Sequence, residues 1–569
     1  MGERKFEIIF VTVILAVHLV LGIQCLNFCD EVFVIASGQQ IFSHPESISY
    51  IFMYYWGAFF AGVWNIFFAD WGIYGFRVFN AIIITLTYFI AYRTVKPYVN
   101  HWYVFAGVFM AMLAETSDIT MVIHHNSVTC FFTTCAAYFL FKGLTKGKRI
   151  YFFIGGVIIG INVFSRLTNV ALIGLLLSLI PYYYYNKKIK ETLQLTFSFV
   201  VGFMLGAMAV LLMMMALGHL HLFIDVIMMM NSISQDPLSG HGFALLIPRY
   251  LKDYSIILGI ILYIILVLRF FQRYHSLIVN HKHLELFVSI VMAMPFIILL
   301  FFSNSLFVNL HFYYALITLC LGYMLYYYRK EKALVYLSTL AILIIYIQPL
   351  GGDFGIENMH SCSIRFAMPL SFGLFGFILK QENVERFSRY FLFSVIGVLF
   401  LWGGYIATFH RAWYDSTSRF KYTTMPKTRL ANVLLKENYA NLVDDVMENL
   451  AKYADKYNSL FVIGYMPLFN YLSGMQPYLQ CCTPDFYSPM ILEQQIESAE
   501  LRHGKELPIV IRGMAKGSMI ELYDPEWRNV ELKEPSNQAK YKIYEDFLKR
   551  HNYKEVWREE SFAILCPSK

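Results

Sequence analysis

The stretch FEIIFVTVILAVHLVLGIQCL at residues 6–26 decides the fold, and the polar residues NFCDE at 27–31 follow it directly. The stretch matches the ~20 apolar residues that a helix needs to cross a bilayer. Arg4 and Lys5 precede it, so the positive-inside rule predicts a cytoplasmic N-terminus. The acidic pair Asp30-Glu31 is then expected on the far side of the membrane, at the start of a segment without Lys or Arg up to Phe76.

The composition excludes an ordinary soluble protein. Of 569 residues, 57% are hydrophobic and 15% are charged, as in chains dominated by membrane helices. The net charge of +7 is spread over short loops and a polar tail, so we interpret it as a topology signal and not as a surface for nucleic acid. The first span is too long for the apolar core of a cleavable signal peptide, so we expect it to remain as an anchor.

Hydropathy predicts a polytopic helical membrane protein with about thirteen spans. Counted alternately from an inside N-terminus, these spans place the Lys/Arg clusters, such as Lys142–Arg149 and Arg329–Lys332, in cytoplasmic loops. The outer loops hold few cations, and an odd number of spans leaves the polar tail outside. The predicted spans are 6–26, 73–92, 101–118, 122–141, 150–165, 168–186, 194–217, 254–271, 284–303, 307–328, 333–349, 366–380 and 388–408.

The segment 43–70 is ambiguous, because Tyr50–Trp71 is apolar enough to span but counting it as a span would put the later Lys/Arg clusters outside. We therefore expect this segment to form helices in or on the outer membrane surface, where a face rich in Trp, Phe and Tyr is stable. Residues 27–72 then form one long first outer loop.

The composition changes near Thr408, which divides the chain into a membrane domain (1–408) and an extracytoplasmic domain (409–569). Apolar runs at 460–464 and 507–511 predict strands, and helices are expected near 428–457, 489–502 and 538–551, which together indicate a small α/β domain. Outside the cytoplasm a disulfide can join Cys566 either to Cys481 or to Cys482, and the sequence does not choose between these two pairings.

In this layout the chain resembles GT-C class glycosyltransferases, most of all the bacterial aminoarabinose transferases and the protein O-mannosyltransferases of the family 39 type. The resemblance covers the whole length. It rests on the Asp-Glu pair after the first span, the long first loop, and an outer α/β tail. It also includes Gly75-Phe-Arg77-Val-Phe-Asn80, Gly155-Gly-Val-Ile-Ile-Gly160 with Ser165-Arg166, and Ser363-Ile-Arg365-Phe-Ala-Met-Pro369. The chain departs from the family where Arg-Tyr is Arg365-Phe366 and where His-Pro-Pro is His44-Pro45.

The resemblance implies an enzyme that moves a sugar from a polyprenyl-phosphate carrier to an extracytoplasmic glycan, lipid or protein. It also implies a bacterial cytoplasmic membrane with the active site outside. Such a displacement needs a base for the acceptor hydroxyl, and Asp30 is the candidate because an ordinary Asp is ionised at neutral pH. Glu31 is expected to orient the acceptor, to bind a divalent cation or to hydrogen-bond Asp30. No cofactor is otherwise predicted.

Cations are needed for the departing phosphate, and Arg166 and Arg365 at outer span ends are the candidates. Each could instead anchor a lipid headgroup or form a structural pair. Arg77 either binds substrate or holds the first loop. His124, His125 and Asn126 either hydrogen-bond the sugar or the acceptor, or form a polar loop.

Two other function classes share these features. A transporter or flippase of lipid-linked saccharides also needs outer cations, but transporters tend to have repeated halves and mid-membrane charges, and we find neither. A polymerase or ligase of lipid-linked saccharides uses the same donor and would centre its chemistry on a late outer loop. The Asp-Glu pair in the first loop favours the transferase.

Overall fold

The computed structural model describes most of the chain, and the following statements concern those residues only. Its described ranges are 3–115, 122–235, 243–278, 282–302, 308–352, 355–356, 362–379, 386–409, 418–513, 535–559 and 561–568. The side chain of Asp30 lies outside them.

The first 409 residues are helical wherever they form regular structure. The helices are α1 (Glu3–Leu21), α2 (Asp30–Gln40), α3 (Tyr55–Phe68), α4 (Gly72–Val95), α5 (His101–Glu115), α6 (His125–Lys146), α7 (Arg149–Asn162), α8 (Leu179–Asn186), α9 (Ile189–Ala216), α10 (Leu220–Gln235), α11 (Phe243–Ile278), α12 (Lys282–Phe302), α13 (Val308–Tyr327), α14 (Lys332–Ile347), α15 (Ile364–Leu379) and α16 (Arg386–Phe409). The 3₁₀ segments are Pro45–Tyr54, Ala69–Trp71 and Leu167–Ser178.

The protein is a polytopic membrane protein. Among the described residues, seven helical stretches are long and apolar enough to cross a bilayer, and six shorter apolar helices accompany them. Each of the thirteen spans predicted from hydropathy coincides with helical structure. The sidedness of these helices stays a prediction.

Residues 43–70 differ from the expectation of helices on a membrane surface. The 3₁₀ segment Pro45–Tyr54 and the first half of α3 are buried within the protein, with Phe52 and Tyr55 both 0% exposed. Only the end of the segment presents apolar side chains outward, including Phe67 at 72%. The aromatic residues that suggested a membrane surface are therefore mostly a protein core.

Four glycines bring helices α7 and α9 into backbone contact. A Cβ added at Gly156 or Gly160 would lie 2.1 Å from the carbonyl oxygen of Phe199 or Phe203. In return, a Cβ at Gly202 or Gly206 would lie 2.1 or 2.2 Å from a carbonyl oxygen of α7. Small residues four apart on both helices permit this approach, as is common between membrane helices.

The C-terminal part contains a five-stranded mixed sheet, as far as the structure describes it, and the α/β prediction is confirmed. The strand order is β2-β1-β3-β5-β4, with β2, β1 and β3 parallel and β5 antiparallel to both its neighbours. The elements are β1 (Ser459–Ile463), β2 (Gln476–Pro477), β3 (Ile509–Gly513), β4 (Tyr553–Arg558), β5 (Phe562–Pro567), α17 (Glu437–Ala454), α18 (Leu468–Ser473), α19 (Pro489–His503) and α20 (Pro535–Arg550).

The first outer loop and the C-terminal part share one hydrophobic core, which includes residues from Leu26–Ala61 and from Ala431–Cys566. Backbone hydrogen bonds join the two parts as well: Cys25 N–H donates to Leu434 O (2.8 Å), and Leu434 N–H donates to Ile23 O (2.7 Å). The division at residue 408 thus separates two compositions, but the two parts are packed as one body at the first loop.

The disulfide considered for Cys566 does not form. All nine cysteines are described and each is a free thiol. The Cys482 thiol instead lies 3.5 Å from Ser37 Oγ in α2, and burial raises its pKa to about 12. Cys482 therefore serves as a packing residue between the first loop and the C-terminal sheet.

Candidate active site

Glu31 and Arg77 form a buried clamp at the end of the first span. Arg77 Nε and Nη2 donate to the two carboxylate oxygens of Glu31 at 2.7 and 2.8 Å, and both side chains are at most 2% exposed. The remaining Arg77 donors bind the carbonyl oxygens of Gly22, Gln24 and Cys25 at 2.6, 3.1 and 2.7 Å. All five N–H donors of the guanidinium therefore have acceptors within the protein.

The clamp fixes the start of α2. Glu31 Oε2 also accepts the backbone N–H of Asn27 at 3.2 Å, and Asn27 Oδ1 accepts that of Cys29 at 2.7 Å. The backbone of Asp30, the first residue of α2, is thereby held against the end of α1. The structure favours the second interpretation of Arg77, that of holding the first loop. Because Glu31 is enclosed with the same arginine, we assign it a positioning role.

An amide network positions Arg166. Asn162, the last residue of α7, donates to Thr133 Oγ1 at 3.1 Å, and Asn169 donates to Thr129 Oγ1 at 2.9 Å. Asn169 also donates to the backbone oxygen of Asn162 at 3.0 Å, which closes the turn between them. The turn that carries Arg166 is thus tied to α6, and Arg166 is 4% exposed.

Arg166 and the backbone of Arg365 both lie near Cys362. Arg166 lies close enough to Cys362, Tyr54 and Tyr250 to interact electrostatically with each of them. Arg365, in the first turn of α15, donates its backbone N–H to Cys362 O at 3.3 Å, and its side chain is 3% exposed. Cys130 Sγ donates to the same carbonyl oxygen at 2.9 Å, which links α6 to this point.

The histidine pair stands at the start of α6, beside the arginines. His124 is the N-cap, and its Nδ1 accepts the Asn126 N–H at 3.2 Å, so in the neutral ring Nε2 carries the proton. The His125 ring is half-buried and stacks on Tyr54 with centroids 4.0 Å apart. His124 and Asn126 are buried, so His125 is the most accessible of the three.

Gly57 connects the histidines to α2. A Cβ at Gly57 would lie 3.3 Å from His125 N and 3.4 Å from Val34 Cγ1. Val34 is one helical turn after Asp30, or ~6 Å along the axis. The elements that carry Asp30, His125 and Arg166 are therefore neighbours, since Tyr54 contacts both of the latter.

Residues that the sequence analysis missed hold the late outer loop in place. Tyr250 Oη donates to Pro349 O at 2.6 Å, and Asp253 pairs with His311 Nε2 at 3.1 Å while accepting the Ile356 N–H at 3.0 Å. A signal for this role was available, because Asp253 and His311 are polar residues at the ends of apolar spans. Arg249, the residue before Tyr250, is exposed.

The metal that was considered for Glu31 does not fit its surroundings, because both carboxylate oxygens bind Arg77 or a backbone N–H. Among the described residues, no group of three His, Cys, Asp or Glu side chains is arranged to hold a metal ion.

No protein-family model and no curated protein matches the chain. Solved structures resemble it in overall shape. ArnT from Cupriavidus metallidurans in the apo state has 11% identity and a TM-score of 0.46 over 99% of this chain and 98% of its own. An oligosaccharyltransferase from Archaeoglobus fulgidus, tethered to an acceptor peptide, has 11% identity and a TM-score of 0.47 over 100% and 74%.

A third similar structure is the arabinosyltransferase EmbB from Mycobacterium smegmatis, with 10% identity and a TM-score of 0.32 over 73% of this chain and 43% of its own. With TM-scores below 0.5, these likenesses assign no activity to this chain. Its function has to be argued from its own residues.

Proposed function

We propose that the protein is a membrane glycosyltransferase that moves a sugar from a polyprenyl-phosphate carrier to an acceptor outside the cytoplasm. The observation that carries the proposal is that Arg166 and Arg365 are both buried and both lie next to Cys362 in the chain fold, Arg166 through its side chain and Arg365 through its backbone, beside the helices that carry His125 and Asp30. A phosphate is the anion that the planar fork of a guanidinium group fits best, so two arginines in one region suit a departing phosphate.

The chemistry follows from a single displacement. The acceptor hydroxyl oxygen attacks the anomeric carbon, and its proton passes to the carboxylate of Asp30. The bond from the anomeric carbon to the phosphate oxygen breaks, and the polyprenyl phosphate leaves with the electron pair. Arg166 and Arg365 stabilise the charge that develops on this oxygen. Attack from the face opposite the leaving group inverts the anomeric centre.

The clamp of Glu31 and Arg77 supports the role of Asp30 because a general base must be held in a narrow range of positions. Asp30 is the residue next to Glu31, and its backbone starts a helix whose first turn is fixed by that clamp. We assign His125, through its half-buried ring, to hydrogen bonding with the sugar or the acceptor.

The test is transfer of label from radiolabelled polyprenyl-phosphate sugars to membrane extract by the purified protein. We expect transfer by the wild type, and a fall in turnover of about 10²-fold or more for Arg166→Lys and Arg365→Lys, in which the charge stays and the fork is lost. Arg249→Lys, at an exposed arginine of the same side, is the matched control and should retain activity. No transfer by a folded wild type with any such donor would reject the proposal.

A further inference from the structure

Helix α10 begins just after the span α9 ends, at a turn that contains Gly218. This glycine has a φ of +73°, and the His219 N–H donates to Met214 O at 2.8 Å. A glycine in the left-handed region with this hydrogen bond ends a helix and redirects the chain. We therefore treat α10 as a separate helix and not as a continuation of the span.

The length of α9 places this turn at a membrane surface. The helix has 28 residues and is thus ~42 Å long, which exceeds the ~30 Å of the hydrocarbon core. Lys188 and Lys190 at its start indicate the opposite surface, since cations stay at the boundary with water. With 16 residues, or ~24 Å, α10 is too short to cross the membrane itself.

One side of α10 packs against the first outer loop and the C-terminal part. Leu222, Phe223 and Val226 are at most 6% exposed and belong to the hydrophobic core that these two parts share. The Phe223 ring also contacts the ring of Phe164, in the turn after α7, with centroids 5.4 Å apart. The helix is therefore fixed on the side of the membrane that carries the C-terminal part.

The other side of α10 is divided into an apolar stripe and a polar stripe. At ~100° per residue, Ile224, Ile227 and Met228 lie along one line, and they are 43%, 42% and 64% exposed. His221 and Asp225 are exposed along the line beside them. A helix that lies in a membrane surface has this pattern, because its apolar side chains enter the lipid while its polar side chains stay in water.

The exposed apolar surface of the span continues along the chain into α10. Leu212 and Met215, near the end of α9, are 51% and 59% exposed, and Leu217 in the turn is 42% exposed. Helix α9 is long and apolar enough to cross a bilayer, so lipid is the natural cover of these side chains. The apolar stripe follows within two helical turns of Leu217, and the same lipid is within its reach.

We propose that α10 is an interfacial helix whose apolar stripe lies in the leaflet on the side of the C-terminal part. Its partner is the lipid surface itself. Between Lys190 and Arg249 the sequence has no Lys or Arg, so hydrocarbon contact and not attraction to anionic headgroups holds the helix.

The docked helix also sets the depth of Arg166. Phe164, which contacts α10 through Phe223, is two residues before this arginine in the same turn. With α10 at the level of the headgroups, the turn of Arg166 lies near the depth of a lipid phosphate. This consequence, unlike the docking itself, rests on the glycosyltransferase function proposed above.

The test measures depth in the membrane by power-saturation EPR on the full-length protein in nanodiscs. The spin label is attached to p-acetylphenylalanine encoded at one position at a time, which leaves the native thiols unlabelled. We expect labels at Ile224 and Met228 to lie ~5–10 Å below the phosphate level, where oxygen reaches them more readily than a water-soluble nickel complex does. Labels at His221 and Asp225, on the same helix, are the matched controls and should favour the nickel complex.

Three outcomes would overturn the proposal. The nickel complex could reach all four positions equally, or Ile224 and Met228 could be shielded from both reagents, which would indicate that a second copy of the chain covers them. Insertion could also require phosphatidylglycerol in place of phosphatidylcholine, which would indicate attraction to charge. The measurement involves no sugar donor, so the docking and the transferase function can fail independently.

Discussion

At the scale of single residues, the contacts of Arg77 separate positioning from catalysis. An arginine whose five donors all bind protein acceptors has none left for a substrate phosphate, whatever its place in the sequence. Arg166 and Arg365 are buried to the same degree but lie where Cys362, α6 and the late outer loop meet. The contacts of Arg77 thus define a structural clamp, and Arg166 and Arg365 stay the proposed ligands of phosphate.

Arg77→Lys should destabilise the protein. Lysine has three donors in place of five and cannot pair with both oxygens of Glu31, so a buried carboxylate and several carbonyl groups lose partners. We expect the free energy of unfolding to fall by about 3 kcal/mol, which is at the lower end of the range for breaking a buried salt bridge. The loss would appear as a lower midpoint of thermal unfolding in detergent. Arg93→Lys, which alters the exposed pair with Glu7, should stay within ~0.5 kcal/mol. Equal midpoints for the two variants would contradict the clamp.

His219 gives the protein a dependence on pH. His219 is 2% exposed, and its ring faces Phe52 and Tyr55. Its Nδ1 shares a hydrogen bond with Tyr55 Oη at 3.0 Å. Burial lowers the pKa of His219 below the usual value, and the neighbouring His221 lowers it further. The unfolded chain therefore takes up a proton near pH 6.5, and the folded chain only at lower pH. The contribution of the neutral His219 ring to the free energy of unfolding is therefore fully present above about pH 6.5 and is lost as the pH falls below that value.

Thermal unfolding between pH 7.5 and 5 checks this dependence. The wild-type midpoint should fall on acidification, and His219→Gln should flatten the profile. His221→Gln, at the exposed neighbour, should keep the wild-type slope. A His219→Gln profile parallel to that of the wild type would show that another group controls the response.

The sequence could name candidate site residues but not their partners. Asp30, Glu31, Arg166 and Arg365 stand out because charges are rare in apolar surroundings. The pairing of Glu31 with Arg77 joins residues 46 positions apart and depends on how α4 packs against α1. Their residue type does not mark Tyr54 and Cys362 as members of a site, since a tyrosine or a cysteine in an apolar run is usually a core residue.

At the scale of elements, the packing of α7 on α9 places Arg166. The turn after α7 carries this arginine, and α7 is held by direct backbone contact with α9 through Gly156, Gly160, Gly202 and Gly206. A wider spacing between these helices would shift the end of α7 and with it the amide network of Asn162 and Asn169.

Gly156→Ala should therefore disturb assembly, because the new Cβ would meet the carbonyl oxygen of Phe199 at 2.1 Å, and a backbone atom cannot move aside cheaply. Fluorescence-detected size exclusion should show less folded monodisperse protein. The matched control is Gly155→Ala, one residue away, whose Cβ would lie 3.1 Å from the flexible Leu140 side chain and at an ordinary contact distance of 3.7 Å from Ala136 O. Equal yields for both variants would argue against backbone contact.

The positions of helices and strands were easier to predict than the parts of the protein or membrane against which they pack. Hydropathy located helices at all thirteen expected spans, and the strands expected at 460–464 and 507–511 are β1 and β3. The surroundings of residues 43–70 were predicted incorrectly because an aromatic helix is equally stable at a membrane surface and in a protein core. Helices α2, α6 and α10 cover that segment together with the C-terminal part, and most of these partners are distant in sequence.

At the scale of the whole molecule, the first loop and the C-terminal part stabilise each other through one core. A chain truncated after α16 would expose Phe28, Val32 and the other loop residues of that core to solvent. We expect residues 27–72 of the truncated chain to be cut rapidly in limited proteolysis, whereas the full chain resists. Equal resistance in both would mean that the loop folds on the membrane helices alone.

The central claim is that Asp30 is the base of an inverting sugar transfer, and turnover of Asp30→Asn with a radiolabelled polyprenyl-phosphate sugar tests it most directly. The amide keeps the size of the side chain and removes its basicity, so folding should be unchanged and turnover should fall by about 10²–10⁴-fold. Asp70→Asn, at the exposed partner of Arg429 in the same loop, should retain turnover. Near-normal transfer by a well-folded Asp30→Asn protein would contradict the account.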